Sequence, residues 1–329
     1  MQKLFLKLVS LLLIIIIFNV LFILFVKKIY AFKNNDYLSS MIAKHKTLEN
    51  MKSKKIIFIG GSNLAFSQDS CSISKSAKKP VINMGLHGGL GLNYMMEEIK
   101  DNTNKGDTVI IVPEYDNFFD VYDGDITLAM LIMDHYPQGI RYLNSPKQYS
   151  TFPQYLISFL QTNAAQFKDI LAGKIAGVLK HDYPVKKEDP IYKKDAFNEC
   201  GDLVSHLDKK STYQDNPNDI FKERSNPNFD EKSFGGIYNF AAYMHNKGVR
   251  VILTFPTIPK DQYDKYQPFF EELGDRIKKI KNITIPNDPS YYVMGDEMFY
   301  DSNYHLNKDG RERRTELVID DMKKLGIIK

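Results

Sequence analysis

Five short apolar runs constrain what this chain can fold into. They are "KIIFIG" (55–60), "KPVINMG" (79–85), "DTVIIVP" (107–113), "VRVILTFP" (249–256) and "NITIP" (282–286). Each is too short for a core helix, is rich in β-branched residues and lacks the polar alternation of a half-exposed strand. Such runs suit strands buried on both faces. Between them lie segments with helical spacing: "LNYMMEEIKDNT", "FGGIYNFAAYMHNKG", "YQPFFEELGDRIKKIKN" and the terminal "KDGRERRTELVIDDMKKLG". "HNKG" and "KKLG" carry basic residues followed by glycine, a helix stop. Strand and helix alternating in this way predict an α/β domain with a five-stranded parallel sheet between two helical layers. In open sheets of this kind chemistry gathers beyond the carboxyl ends of the strands. Ser62, Gly85, "PEYDNF" (113–118) and "FPTIP" (255–259) occupy those positions.

The alternation breaks between Asp120 and Lys232, where "TLAMLIMDHY" and "QYLISFLQTNAAQFKDILAGKIAGVLK" read as helices and 180–230 is polar. This is an insertion after the third strand. It is placed to form a lid or substrate platform, or equally a membrane-proximal or partner-binding element. At the other end of the chain, Leu8 to Val26 is apolar apart from Ser10 and Asn19, long enough at helical rise to cross a bilayer core. Lys3 and Lys7 precede it, Lys27, Lys28 and Lys33 follow, and no small-x-small cleavage site is present. An uncleaved signal anchor over 1–28 is expected, then a juxtamembrane stalk over 29–53 and the domain over 54–329. The simplest topology places that domain outside the cytoplasm, at the cell membrane.

Hydrophobic content of 43% and charged content of 26% are those of a folded chain. The net charge of +4 is spread without a basic run, so nucleic acid is not an expected partner. Cys71 and Cys200 are the only cysteines. Neither belongs to a metal-ligand cluster, so no metal is expected; they either pair, if the domain is exported, or stay buried and free.

"FIGGSNLAF" (58–66) decides the chemistry. It lacks the lysine of a phosphate-binding Walker loop and the third glycine of a dinucleotide fingerprint, so no nucleotide cofactor is expected. It also departs from the G-x-S-x-G elbow of α/β-hydrolases, because Leu64 stands where the last glycine belongs. What remains is G-x-S at a strand end, where Ser62 is either a nucleophile or a helix cap. "MFYDSNYHLNKDG" (298–310) favours the nucleophile: Asp301 and His305, four residues apart, supply a base and an acid to orient it.

In this order of segments the chain resembles the SGNH (GDSL-like) hydrolases, whose flavodoxin-like sheet carries Ser, Gly, Asn and His on four successive segments. The likeness runs from Lys54 to Leu325, apart from the insertion. It implies Ser62 as nucleophile, His305 as base, Asp301 or else Asp296 as the orienting acid, and the Gly85 and Asn117 groups as oxyanion donors. The third segment departs from the family's G-x-N-D, and Glu114 or Tyr115 stands as an alternative to Asn117; Asn63 and Tyr304 complete the substrate-facing residues. Tyr291, Tyr292, Phe299 and Tyr300 crowd the same segment, either stacking on sugar rings or packing in the core. Membrane-tethered members act on acyl groups of surface polymers, such as polysaccharides and teichoic acids, alongside membrane-bound O-acyltransferases. The resemblance therefore implies O-acyl transfer to, or hydrolysis from, an exported polysaccharide, acetyl foremost, with no cofactor. A non-catalytic module that binds polysaccharide or scaffolds an acyltransferase is the alternative.

Overall fold

The computed structural model describes residues 35–119, 121–146, 148–150, 189–213, 219–221 and 228–328, with scattered positions between 3 and 21 and at 153 and 157. The chain divides into two compact units, Met1–Asp36 with Phe152–Glu188, and Tyr37–Thr151 with Asp189–Lys329. The second carries the sheet.

That sheet is parallel, in the order β2-β1-β3-β4, with β1 at Ile56–Gly60, β2 at Val81–Asn83, β3 at Thr108–Val112 and β4 at Arg250–Leu253. This order is the one found in flavodoxin-like cores. The register runs Gly60↔Val112 at the carboxyl end of β1 and β3, so the segments after both strands leave the sheet side by side. Each apolar run feeds both faces. Ile57, Ile59, Val109, Ile111, Val251 and Leu253 face one way, against the helices Leu92–Ile99 and Glu231–Asn246. Ile56, Phe58, Ile110, Val112 and Ile252 face the other, against Ser70–Ala77 and the last helix, Lys308–Lys324. Period-two side chains within a continuous apolar run therefore line two cores at once. Gly248 and Gly326 follow their helices with φ +74° and +67°, the left-handed turn that a glycine accepts without strain.

The expected fifth strand is reduced to a single bridge. Thr284 pairs with Ile252, its N–H donating to Val251 and its carbonyl accepting from Leu253, each at 3.0 Å. Two residues on, where the next ladder bond would start, stands Pro286, which has no N–H to give. Asn282, two residues earlier, has φ +64°, which turns the chain out of the sheet on that side. The sheet thus has four strands.

Two small sheets complete the carboxyl side. β5 (Ile258–Pro259) pairs in parallel with β6 (Val293–Met294), and β7 (Phe299–Ser302) forms an irregular hairpin with β8 (His305–Leu306). Residues 37–50, expected as a stalk, pack into this unit: Leu38, Met41 and Leu48 are buried. Residues 189–213 of the insertion lie along the hairpin, with Thr212 and Tyr213 N–H groups both donating to the Tyr300 carbonyl. The helix expected over 154–180 lies outside the described residues apart from one position. So does most of the apolar segment Leu8–Val26, of which Val9, Leu11, Leu13, Ile14, Ile17, Phe18 and Leu21 are helical and exposed. Among the described residues no helix is long and apolar enough to cross a membrane.

Cys71 and Cys200 form a disulfide, with 5.5 Å between their Cα atoms.

Candidate active site

The three segments that leave β1, β2 and β3 meet above the carboxyl edge of the sheet. β1 ends in Gly60; Gly61 caps a short helix, α1 (Ser62–Ser67), and Ser62 is its first residue. The Ser62 hydroxyl donates to Glu114 Oε1 at 3.2 Å, and the Asn63 N–H donates to the same oxygen at 3.1 Å. Glu114 lies just beyond β3, followed by a turn at Tyr115–Phe118. Asn117 closes that turn as a capping partner, its Oδ1 accepting from the Glu114 N–H at 3.0 Å. Burial pushes the Glu114 carboxyl up from the usual carboxylate range, against the Asn63 hydrogen bond and the nearby His305 charge, which pull it down.

The imidazole comes from the other side. His305 begins β8, and its ring stacks on Phe66 of α1 with 3.8 Å between centroids and 9° between planes. Its Nδ1 lies 2.7 Å from Asp301 Oδ1. A carboxylate there fixes the proton on Nδ1 and leaves the lone pair on Nε2, which has no hydrogen-bond partner among the described residues. Burial raises the Asp301 carboxyl, but the His305 hydrogen bond and charge, with the Tyr192 hydroxyl, outweigh it and hold Asp301 below its ordinary value. The irregular pairing between Phe299 and Ser302 in the hairpin is what lets an acid four residues before the histidine reach it.

The remaining expected residues are placed differently. Gly85 is near, but its N–H already donates to Asn83 Oδ1 at 2.8 Å. The Asn117 amide nitrogen points to the Gly88 carbonyl at 3.4 Å, and the residue is fully buried. Both donors are thus engaged within the loops, whereas the Ser62 N–H has no partner among the described residues. Asn63 directs its amide to the Val112 carbonyl, at 3.1 Å. Tyr115 runs into the core, its hydroxyl donating to the Pro256 carbonyl at 3.1 Å. Tyr304 is half-buried and accepts from the Tyr115 N–H at 3.0 Å. Of the aromatic group, Tyr292 and Phe299 are core residues, Tyr300 is buried, and Tyr291 is exposed. Among the described residues it is Asp301, not Asp296, that pairs with His305.

Two residues join the site without a sequence signal that singled them out. Tyr192, from the inserted segment, donates its hydroxyl to Asp301 Oδ2 at 2.6 Å and lies 3.3 Å from His305 Nδ1. His87, in the glycine loop after β2, is pushed down by burial and then by the His305 charge. Tyr192 lies in a polar stretch that carries no motif.

The groups with metal-ligand spacing near the disulfide, Cys71 with Glu199 and Cys200 or with Asp69 and Asp202, have their sulfur committed to the disulfide. The site thus joins a serine at a strand end, a buried carboxyl hydrogen-bonded to it, and an acid-oriented imidazole stacked on the helix that the serine opens, on an α/β fold. No protein-family model matches the chain, and no characterised protein matches it in sequence.

Proposed function

We propose that this chain is a serine-dependent O-acyl transferase or esterase of the SGNH type, tethered to the cell membrane and acting on an exported polysaccharide. The observation that carries the reading is the Asp301–His305 pair, held at 2.7 Å on a hairpin stacked against the helix that Ser62 opens. Ser62 attacks an ester carbonyl, an acyl-enzyme forms, and water or a sugar hydroxyl removes the acyl group. His305, with Nε2 open, is the base for the incoming hydroxyl, and Asp301 with Tyr192 keeps its ring in that tautomer. The disulfide fits an oxidising compartment, and the apolar segment Leu8–Val26 fits a tether; together they support an extracytoplasmic domain. A membrane-bound O-acyltransferase is the natural acyl supplier.

A second reading, a non-catalytic polysaccharide-binding or scaffold module, draws on the Gly85 and Asn117 donors, both engaged within their loops, so that of the expected oxyanion donors only the Ser62 N–H is open among the described residues. A fluorophosphonate probe separates the two. Covalent labelling of folded protein that disappears in Ser62→Ala supports the enzyme; absent labelling, or labelling that survives the substitution, refutes it.

A further inference from the structure

The Ser62 hydroxyl is hydrogen-bonded not to the imidazole but to Glu114, and the site is built around that bond. A Cβ on Gly61 would fall 2.2 Å from Glu114 Oε1, and one on Gly88 would fall 1.7 Å from Oε2. The carboxyl is thus slotted between the serine turn and the loop after β2, where only glycines leave room. The Asn63 N–H holds the carboxyl directly, and Asn117 Oδ1 holds the Glu114 backbone N–H that carries it. A carboxyl clamped in this way, 3.2 Å from the hydroxyl, stands within general-base reach of the one proton that nucleophilic attack must remove. His305 Nε2, meanwhile, has no hydrogen-bond partner among the described residues.

We propose that the two halves of the reaction use two bases, with Glu114 serving acylation and His305 serving deacylation. The inference rests on Ser62 being the nucleophile. In the first half, the Oγ–H bond breaks and its proton passes to Glu114 Oε1 while Oγ bonds to the acyl carbon. The carbonyl π pair moves to oxygen and returns as the bond to the leaving alkoxide breaks. Glu114 then gives its proton to that alkoxide and is a carboxylate again. In the second half, His305 Nε2 takes a proton from water or a sugar hydroxyl as that oxygen attacks the acyl carbon. The imidazolium, paired with Asp301, returns the proton to Ser62 Oγ as the acyl bond to it breaks. Charge and protons balance over each half, and no further reactant is required.

A buried carboxyl suits the first role because its raised affinity for protons makes its anion a stronger base than an exposed carboxylate. The groups facing it are Ser62 and Asn63 from the helix, His305 from the hairpin, Asp116 on its own turn, and Tyr37 and Tyr304 from neighbouring segments. Acylation should therefore rise with pH as Glu114 ionises, whereas a residue that merely held the loop would produce no such limb.

The test measures fluorophosphonate labelling, which reports only the first half, beside release of acetate from an acetylated glycan, which needs both. Glu114→Gln keeps an oxygen for Ser62 and Asn63 but accepts no proton; its labelling should fall by about a hundredfold or more. Gly88→Ala, which displaces the carboxyl without removing it, should fall in the same direction. His305→Ala should lose labelling by no more than about tenfold, retain the rising pH limb, and lose acetate release. The two-base scheme is overturned if His305→Ala loses as much labelling as Glu114→Gln, if Glu114→Gln labels within about tenfold of wild type, or if the pH limb vanishes with His305. Thermal melting confirms folding of each variant, and the pH profile of His305→Ala decides the matter even where Glu114→Gln or Gly88→Ala does not fold. Labelling that persists in Ser62→Ala sinks the enzymatic reading as a whole, whereas loss in Ser62→Ala with retention in Glu114→Gln sinks only the two-base scheme.

Discussion

Replacing both cysteines, as Cys71→Ser with Cys200→Ser, should cost this domain a large part of its stability. The bridge joins residues 129 apart in sequence. Closing a loop of about 130 residues in the unfolded chain removes roughly 17 cal/mol/K, about 5 kcal/mol at 25 °C in the chain-entropy account. Native disulfides commonly return somewhat less, so about 2–5 kcal/mol is the expected loss. The bridge also fixes a segment with several native bonds. Gly201 accepts from the buried Lys44 ammonium at 2.6 Å, and Asp202 accepts from Ser70 N–H and from Asn83 Nδ2, each at 2.8 Å. Asn83 in turn holds the Gly85 N–H, so slack at Cys200 reaches the loop beside Ser62. Equilibrium urea unfolding is the assay. With a slope of about 3 kcal/mol/M for a domain of this size, the midpoint should fall by roughly 0.7–1.7 M, and the slope should rise because the unbridged unfolded chain exposes more surface. A midpoint within about 0.2 M of wild type, or two free thiols in the native protein, would refute the reasoning.

At the opposite edge of the sheet, Lys55 and Asp107 form an ion pair at 2.9 Å with both side chains wholly buried. Asp107→Ala strands the ammonium and should cost about 3–5 kcal/mol, read as a fall of about 10 °C in melting temperature, with probe labelling of the folded protein unchanged. His206 donates to the Leu306 carbonyl, and burial lowers it from 6.5 to about 4, with the His305 and Arg311 charges assisting. The unfolded chain therefore binds a proton that the native chain does not between pH 6.5 and about 4, and stability is lost as pH falls through that window. His206→Asn should flatten the wild-type stability curve there; an unchanged slope in urea midpoints across these pH values would refute the assignment.

Most of the sheet was legible because a strand buried on both faces must be apolar throughout, and such runs stand out against helical spacing. The fifth run carried the same apolar signal, yet its ladder ends at Pro286, a residue visible in the sequence whose cost depends on which N–H the neighbouring strand would require. Asp301 and His305 could be paired from their types and order. That the acid would reach across an extra residue depended on an irregular hairpin that no local pattern announced.

The sequence by itself determined the α/β class, the parallel run of strands and the strand-end positions of Ser62, Gly85 and the "PEYDNF" segment, because burial and helix periodicity are local signals. Only the tertiary structure decided the partners. It turned Asn117 and Gly85 inward, placed Tyr192 on Asp301 across 109 residues, and set Glu114 rather than His305 on the serine hydroxyl. Hydrogen-bond partners of buried polar groups are chosen by which loops fold over one another, and spacing along one chain does not encode that.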